Sequence, residues 1–406
     1  MVKPLPNSHN IYVYKRTFFP RHPEIRRSPY LYHASKERER RILTTMGTVR
    51  DKPPFTRYVR RWLAACVTTL IVASGAASPI AVTAEPPPPE VSSKSFFEDF
   101  ITPRKPIPYS LLGLNSFLND SRFGSIRSQL RDVTRNLGIK KVRVLVAWND
   151  QVQPSPSATP NFGLYDRIIS SLPAGTEALV ILTGAPSWVQ DSRNWVGGSP
   201  RSTFVELWVK KVVTRYKARA RVGAYQIWNE PNNPSFSENE TLDVLTKPAN
   251  YVELLALAHA AVKSISPRKR VVNGATTAIA QNFPATLDYN KAMVDAGVLS
   301  FTDVYAIHFY GKSVERVILP GGVADFVNSI QKPIWVTETG AQGVNKQLDY
   351  AERIFSFLKK NMPGIVRVYI YQYTESSPAG STYGLRNLTP GATVSDLYIK
   401  LRDRPK

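Results

Sequence analysis

Cysteine is nearly absent from this sequence: the 406 residues contain only Cys66. A single cysteine excludes a disulfide framework and a cysteine-based zinc site within one chain. A histidine-based metal site is equally unsupported, because no second histidine lies near His308 in the sequence. The sequence therefore predicts that the protein uses neither a metal nor another cofactor.

The sequence also lacks the signatures of dinucleotide binding and of nucleic-acid binding. A dinucleotide-binding open sheet has a glycine-rich phosphate turn after its first strand, whereas "GLNSF" at residues 113–117 offers a single glycine. The formal charge is +22, yet no Lys/Arg-rich run interleaved with aromatic residues occurs after residue 84. Such a run is the usual footprint of nucleic-acid binding, so nucleic acid is not an expected partner.

The beginning of the chain predicts export. Residues 1–56 are basic, polar and without sustained periodicity, so we expect them to be disordered, or to precede the true start, since Met46 would begin a signal of ordinary length. Residues 57–84 place arginines before a short apolar stretch and small residues after it, as a secretory signal does. The proline-rich residues 85–103 predict a stiff linker. The expected location is extracellular or the cell envelope, with a retained membrane anchor as the alternative.

The folded domain is predicted over residues 104–406. Short runs rich in β-branched and aromatic residues alternate there with segments of helical spacing, which implies right-handed βαβ units and a parallel sheet. Eight such units in about 300 residues fit a (β/α)₈ TIM barrel, and a doubly wound open sheet is the competing architecture. The predicted strands are 109–115, 141–148, 178–188, 223–230, 270–276, 303–310, 334–340 and 366–373.

Polar and aromatic residues mark the ends of these otherwise apolar strands. In a barrel such side chains line the mouth, where the chemistry of this fold takes place. Hydrogen-bonding groups and flat apolar rings together are what a sugar site requires. The strand-end candidates are Asn115, Arg143, Trp148, Trp188, Asn229, Glu230, Asn273, His308, Tyr310, Glu338, Tyr371 and Tyr373.

Two of the candidates are glutamates, Glu230 on the fourth strand and Glu338 on the seventh. Taken alone, a glutamate before Pro231 would be an ordinary turn or helix-start residue. Two carboxyls at one barrel mouth can instead divide their roles, one protonated as general acid and the other ionised as nucleophile or base. Cleavage of a glycosidic bond needs such a pair, and the distance between the two carboxyls decides between retention and inversion.

The motifs around these glutamates resemble those of a known group of enzymes. "WNEPN" at 228–232 and "WVTETG" at 335–340 are similar to the fourth- and seventh-strand motifs of clan A retaining glycoside hydrolases, the cellulase-like superfamily. The similarity is greatest to family 39, with family 5 next, and it spans about residues 105–405. It implies a glycosidase that hydrolyses O-glycosyl bonds of a β-linked poly- or oligosaccharide by retaining double displacement.

The resemblance also implies roles for the residues around the pair. Glu230 would be the acid/base and Glu338 the nucleophile, while Asn229 would hold the 2-hydroxyl of the sugar. Arg143 and Tyr310 would hydrogen-bond Glu338 and keep it ionised.

The remaining candidates are predicted to contact the substrate. Many clan members have a tryptophan on strand 8 where this chain has "YIYQYTES", so Tyr371 or Tyr373 would stack on the sugar instead. His308 would line the cleft, and Trp148 and Trp188 are predicted sugar contacts that could equally be packing residues.

Some alternatives stay open at this point. Asn115 and Asn273 could simply satisfy neighbouring backbone groups. A non-catalytic carbohydrate-binding barrel in cell-envelope polysaccharide metabolism is the alternative to an enzyme. The partner expected in either case is a carbohydrate, bound by a monomer, with the membrane involved only if the apolar segment is retained. Sugar identity, linkage and endo or exo action are not predicted.

Overall fold

Eight parallel strands, one at each predicted run, form the centre of the molecule. They belong to a computed structural model that describes residues 104–311 and 315–405. The predictions for residues 1–56, 57–84 and 85–103 lie outside the described residues. The strands are β1 Leu112–Asn115, β2 Lys141–Ala147, β3 Glu177–Thr183, β4 Val222–Ile227, β5 Arg270–Asn273, β6 Tyr305–His308, β7 Ile334–Thr339 and β8 Ile365–Ile370.

The order of the strands is that of a barrel. Along the sheet they run β5-β4-β3-β2-β1-β8-β7-β6, and the neighbouring strands in this order pair in parallel. The first strand therefore lies between the second and the last, and the two end strands meet at a parallel bridge between Val272 and Val304. The prediction of a (β/α)₈ barrel is confirmed, and the open doubly wound sheet is excluded.

Side chains complete the seam between β5 and β6. The carboxamide of Asn273 accepts a hydrogen bond from the N–H of Ala306 at 2.7 Å and donates to its carbonyl at 3.2 Å. In the segment just before β6, Thr302 Oγ1 accepts a hydrogen bond from the N–H of Asn273, and the Asp303 carboxylate accepts one from the N–H of Val271. Buried backbone groups at this short pairing are thereby satisfied. Asn273 thus links β5 to β6 by satisfying backbone groups of Ala306, one of the roles expected for it from the sequence.

Helices surround the strands, with at least one in each connection. The longest, α6 (Pro248–Ile265), has Pro248 in its first turn and buries Tyr251, Leu254, Leu255 and Val262, which recur at the spacing of one helical face. None of the helices in the described ranges is long and apolar enough to span a membrane. The helices are α1 Ile126–Arg131, α2 Gly163–Ser171, α3 Pro200–Phe204, α4 Lys210–Tyr216, α5 Ser237–Thr241, α6 Pro248–Ile265, α7 Ala285–Asp295, α8 Glu315–Ile318, α9 Val323–Ser329, α10 Gln347–Asn361 and α11 Asp396–Asp403.

The barrel interior below the mouth is filled by two large aromatic side chains. Trp335 of β7 and Tyr369 of β8 are fully buried among small residues of the other strands. Gly113 of β1 leaves room for Tyr369, because a Cβ at this position would lie 2.5 Å from the ring. The Trp335 ring also packs under the Arg367 guanidinium, 4.1 Å from the ring centroid. The interior is therefore a packed core, and the mouth is the end of such barrels at which ligands usually bind.

A charged cluster closes the end of the barrel opposite the mouth. Glu177, the first residue of β3, accepts two hydrogen bonds of 3.0 Å from Arg367 and also pairs with Arg270, the first residue of β5. Burial opposes ionisation of Glu177, but the hydrogen bonds from Arg367 and the charges of Arg367, Arg270 and Lys141 hold its pKa below the ordinary value. The ionised carboxylate therefore stabilises the folded state.

We expect the Glu177→Gln variant to be less stable than the unchanged protein at neutral pH. Because the folded pKa is depressed, the contribution of Glu177 is complete above its unfolded value of about 4.3 and is lost as the pH falls through the lower folded value. The difference in thermal midpoint between the two proteins should therefore shrink below about pH 4. The exposed Glu240 of α5 offers the matched control Glu240→Gln, which should leave the midpoint unchanged. A difference that grew on acidification would contradict this assignment.

Candidate active site

The turn after β4 places its side chains in the mouth through an unusual backbone. Trp228 and Glu230 both adopt left-handed conformations, with φ of 74° and 44°. Each such residue costs about 1–3 kcal/mol and persists only where its surroundings fix it. Here the N–H of Trp228 bonds to the carbonyl of Leu182, and that of Glu230 bonds to the carbonyl of Ala275 at 2.8 Å. A residue of β3 and a residue just after β5 thus hold the turn, as is typical of functional sites.

A buried asparagine fixes the same turn from below. Asn239, which has no exposed surface, accepts a hydrogen bond of 2.7 Å from the indole N–H of Trp228. Its amide donates at 2.8 Å to the carbonyls of both Glu230 and Asn233. The backbone that carries Glu230 is therefore rigid, as a site built for precise geometry requires.

Glu338, near the end of β7, receives two donors. Its Oε1 accepts from Arg143 Nη1 at 2.9 Å, and its Oε2 accepts from the hydroxyl of Tyr310 at 3.0 Å. The Glu338 side chain is 3% exposed and that of Arg143 is 1% exposed, so the ion pair is almost dry. An adjacent cation and a hydroxyl donor both stabilise the ionised carboxylate.

Arg143 of β2 connects four strands through its guanidinium. Besides Glu338, it donates to Asn115 Oδ1 at 2.8 Å, to Gln226 Oε1 at 2.7 Å and to Asn229 Oδ1 at 2.9 Å. The bond to Asn229 orients its carboxamide, so that the amide nitrogen is turned away from the arginine. Asn115 also donates to the carbonyl of Thr337 at 3.0 Å. Arg143 thus has an acceptor for each guanidinium nitrogen, which compensates the cost of burying its charge.

Glu230 has a different environment. Its Oε2 accepts from the side-chain amide of Asn233 at 2.7 Å, and its Oε1 lies 3.0 Å from Nδ1 of His308. These neighbours are an amide and an imidazole, whereas Glu338 has a guanidinium beside it. The two carboxyls of the pair therefore occupy the contrasting environments that divide acid from nucleophile.

The separation of the two carboxyls is short. One carboxylate oxygen of Glu230, one of Glu338 and a ring nitrogen of His308 all lie within 4.8 Å of one another. Retaining glycosidases have carboxyls about 5–5.5 Å apart, whereas inverting enzymes leave about 6.5–9.5 Å for a water molecule. The spacing agrees with the retaining geometry.

The same three side chains also have the donor atoms of a metal site. Their arrangement fits hydrogen bonding better than coordination of one ion. Glu230 lies against Nδ1 of His308, whereas Glu338 lies 3.6 Å from Nε2, on another edge of the ring. A divalent cation bound to Glu338 would also lie close to the Arg143 guanidinium, which already pairs with that carboxylate.

Half-buried aromatic residues line one side of the mouth. Tyr371, which follows β8, packs edge-on against Phe117 and Tyr383, with centroids 5.9 and 5.8 Å apart. Tyr383 in turn packs edge-on against Tyr310 at 5.7 Å. Trp188 is also half-buried, and its indole N–H donates to a loop carbonyl. The side chains of Tyr371 and Trp188 both keep exposed surface, and Tyr371 is linked to Tyr310 of the site through Tyr383.

Three of the predicted substrate contacts are corrected by burial. Trp148 has no exposed surface and its indole N–H bonds to Gln153 at 2.9 Å, so it is a packing residue. Tyr373 is also fully buried, and its hydroxyl bonds to Asp132 at 2.8 Å, outside the mouth. His308 lies in the site but has no exposed surface, so it contacts the two carboxyls rather than a sugar.

Three residues of the site, Gln226, Asn233 and Tyr383, are not predicted from the sequence. Gln226 is a polar residue inside the apolar run "GAYQIW", a signal that could have been noticed. Asn233 and Tyr383 lie in loops, where nothing in the sequence predicts which way a side chain points. Gly340, in the seventh-strand motif, provides space for both tyrosines, because a Cβ there would lie 2.5 Å from the Tyr371 carbonyl and 3.2 Å from the Tyr383 ring.

Comparison with solved structures shows the same architecture. A family 39 glycoside hydrolase from Bacteroides cellulosilyticus WH2 is 16% identical with a TM-score of 0.51, over 73% of this chain and 63% of that one. A GH39 enzyme from Xanthomonas axonopodis pv. citri is 18% identical, with a TM-score of 0.51 over 74% and 67%. A family 1 β-glucosidase from Thermotoga maritima is 13% identical, with a TM-score of 0.52 over 74% and 98%. At these identities the likeness shows the fold alone.

A parallel (β/α)₈ barrel with one glutamate just after β4 and another near the end of β7 is the arrangement of clan A glycoside hydrolases, as the motifs implied. Among curated proteins no significant match was found. The profile of the cellulase family, glycosyl hydrolase family 5, matches residues 105–374. The chain therefore belongs to that family, the second of the two families that the sequence resembles.

Proposed function

We propose that the protein is an exported glycosidase that cleaves β-linked sugars with retention, using Glu338 as nucleophile and Glu230 as acid/base. The observation that carries the proposal is the pair of buried carboxyls whose nearest oxygens lie within 4.8 Å. Oxygens this close favour direct attack by one carboxylate over the wider spacing that an intervening water requires.

In the first step Glu338 attacks the anomeric carbon. The bond between that carbon and the leaving oxygen breaks with its electron pair on the oxygen, which takes the proton of Glu230. A glycosyl ester on Glu338 results. Arg143 and Tyr310 keep Glu338 ionised and correctly oriented before attack. Asn229, oriented by Arg143, is placed to bind the 2-hydroxyl, whose hydrogen bond strengthens in the transition state.

In the second step Glu230, now ionised, removes a proton from water. The water oxygen attacks the anomeric carbon, the ester bond breaks, and its electron pair returns to Glu338. Two inversions at the same carbon give net retention. Both carboxyls then have their original protonation, so the cycle is complete.

The substrate and the location are also part of the proposal. Retained aromatic surface at Tyr371 and Trp188 supports a carbohydrate ligand. The order of charged, apolar and small residues in 57–84 supports export. Full-length protein expressed in a bacterial host should be recovered outside the cytoplasm, and mass spectrometry of the mature amino terminus should find cleavage close to Ala84. Recovery of the uncleaved chain in the cytoplasm would oppose the export part alone.

The activity is tested by incubating the protein with a panel of polysaccharides and aryl β-glycosides. We expect turnover of at least one class, and proton NMR of the first product should show the β-anomer before mutarotation. An α-anomer would contradict retention. Binding of a polysaccharide without turnover of any panel member would favour the carbohydrate-binding barrel.

We expect the activity of the Glu230→Gln variant to fall most on substrates whose leaving group must be protonated before it can depart. For unactivated leaving groups kcat/KM should fall by about 10²–10⁴-fold, the usual contribution of general acid catalysis. For dinitrophenyl glycosides, whose leaving group departs without a proton, kcat/KM should change little. The matched control is Glu206→Gln, in a surface pair with Lys210. Equal losses on both substrate types would contradict the acid role.

A further inference from the structure

A second concave surface lies on the outer wall of the barrel, where helix α4 packs against the loop that follows β2. This outer cleft encloses about 560 Å³ between residues 156–160 with Phe162 on one side and residues 210–215 of α4 on the other. Ligand sites in proteins usually enclose about 300–1,000 Å³. The steps proposed for the two glutamates do not use this cleft, so its chemistry requires a separate account.

The loop wall of the outer cleft is held in place by hydrogen bonds and prolines. The side chain of Gln153 accepts from the indole N–H of Trp148 at 2.9 Å and donates to the carbonyl of Pro156 at 3.3 Å. The N–H of Asn161 bonds to another loop carbonyl at 2.8 Å. Pro156 and Pro160 restrict the backbone between these points. The cleft is therefore formed before a ligand binds, which lowers the entropic cost of binding.

Arg215 is fixed at the edge of the cleft by two contacts. Its guanidinium lies 4.8 Å from the centroid of the Phe162 ring, whose opposite face stacks on Trp208 with the centroids 5.3 Å apart. Its Nε and Nη2 both donate to the carboxylate of Asp166. Within the described part of the chain, Nη1 has no hydrogen-bond acceptor. A rigidly held guanidinium thus keeps one nitrogen for a ligand.

The helix wall places a second cation beside Arg215. Lys211 is exposed and lies four residues before it, so the two positive charges face each other on one helical face and repel. Lys210 is balanced by Glu206 at 2.6 Å, whereas Lys211 has no acidic partner among the described residues. No carboxylate of that part of the chain lines the cleft. A bound anion would therefore relieve the repulsion and accept charge-assisted hydrogen bonds.

The other groups of the cleft suit a sugar better than a small inorganic anion. The hydroxyls of Ser157, Thr159 and Thr214 are exposed at its surface, and each can donate to or accept from a sugar hydroxyl. Pro156 and Ala158 add apolar surface. A phosphate ion would occupy a small part of the volume, whereas a sugar ring with a carboxylate would use the cations, the hydroxyls and the apolar surface together.

We propose that the outer cleft binds a uronic-acid residue of an acidic polysaccharide, as a second glycan site outside the catalytic mouth. The carboxylate of the sugar is held by Lys211 and Nη1 of Arg215, and its hydroxyls by the serine and threonine side chains. This inference rests on the proposed carbohydrate substrate. A polymer held there stays close to the enzyme, which raises its effective concentration at the mouth.

The charge of the cleft is tested by affinity electrophoresis of the full-length protein in native gels that contain polygalacturonate or alginate at low salt. Every protein carries Glu338→Gln, so that the polysaccharide is not cleaved. We expect retardation, and Lys211→Glu should raise the dissociation constant about tenfold, because the new carboxylate pairs with Arg215 and repels the ligand. Lys217→Glu, an exposed position directly after α4 and outside the cleft, is the matched control for net charge and should stay within about twofold.

The shape of the cleft is tested by a variant that leaves the charge unchanged. Thr214 is exposed and lies three residues after Lys211, so the indole introduced by Thr214→Trp would fill the cleft. Binding of polygalacturonate should weaken about tenfold, as it does in Lys211→Glu. Unchanged thermal midpoints would confirm that the variants fold. Neutral glucomannan and polyglutamate, which lack the carboxylate and the sugar ring respectively, should retard the protein less than polygalacturonate does.

The outcomes of these tests are distinct. Equal weakening by Lys211→Glu and Lys217→Glu, unchanged binding in Thr214→Trp, or no retardation by either acidic polysaccharide would overturn the proposal. Equal retardation by glucomannan or by polyglutamate would overturn it as well, because the cleft would then not distinguish an acidic sugar. A protein that binds through the cleft but cleaves no glycoside would defeat the proposed hydrolase alone. A hydrolase whose binding is independent of Lys211 would defeat the cleft alone.

Discussion

Replacement of Glu338 by alanine is expected to abolish glycoside hydrolysis, with a fall in kcat of about 10⁴-fold or more, as losses of catalytic nucleophiles do. Added azide should then restore consumption of activated β-glycosides, because the small anion fits the space left by the carboxylate and attacks the anomeric carbon. Its product should be the α-glycosyl azide, since only one inversion occurs. The intact enzyme should form no azide adduct of this kind. Product NMR and mass spectrometry provide the measurement.

The stereochemistry of the azide product also distinguishes the two glutamates. In Glu230→Ala the glycosyl ester on Glu338 still forms from an activated substrate, so azide should replace water in the second step and give the β-glycosyl azide. Opposite anomers from the two variants would assign both roles in one experiment. The variant Glu338→Gln, which keeps an acceptor for Arg143, controls for loss of folding. Full activity in Glu338→Ala would refute the proposed nucleophile.

The barrel and the glutamate pair could be predicted from sequence because each depends on a local pattern. Strands alternate with helices, and "WNEPN" and "WVTETG" each end an apolar run, so closure of the barrel had to bring Glu230 and Glu338 to one mouth. Register and burial along single strands were harder to predict. Trp148 and Tyr373 lie close to strand ends, yet packing against Trp208 and a bond to Asp132 direct them away from the mouth.

Contacts made by loops could not be predicted at all. Asn233 and Tyr383 reach the site through turns whose conformations depend on distant groups, such as Asn239 for the first and Glu375, which accepts the N–H of Tyr383, for the second. Left-handed backbone at Trp228 and Glu230 is likewise imposed by tertiary hydrogen bonds, because neither residue favours it. The loop contacts of the site are thus the part that is least predictable from the sequence.

We expect removal of the Arg143 guanidinium to affect stability and catalysis together. In Arg143→Met, the buried Glu338 loses its cation, and Asn115, Gln226 and Asn229 each lose a donor. Breaking a buried ion pair from one side costs about 3–5 kcal/mol of unfolding free energy. Misorientation of Asn229 and Glu338 should lower kcat/KM by about 10²–10³-fold. Denaturant titrations and kinetics on the same preparation measure the two effects.

Two further variants separate charge from geometry. Arg143→Lys keeps the charge, but a single ammonium cannot replace a planar fork with four acceptors, so most of the catalytic loss should remain. Arg193, whose side chain is 87% exposed in its pair with Asp191, is the matched control, and Arg193→Met should leave the free energy of unfolding almost unchanged. In the double variant Arg143→Met/Glu338→Gln the uncompensated buried charge is gone, so its stability should exceed that of Arg143→Met alone. A double variant less stable than either single variant would mean that Arg143 acts through packing rather than through the charge of Glu338.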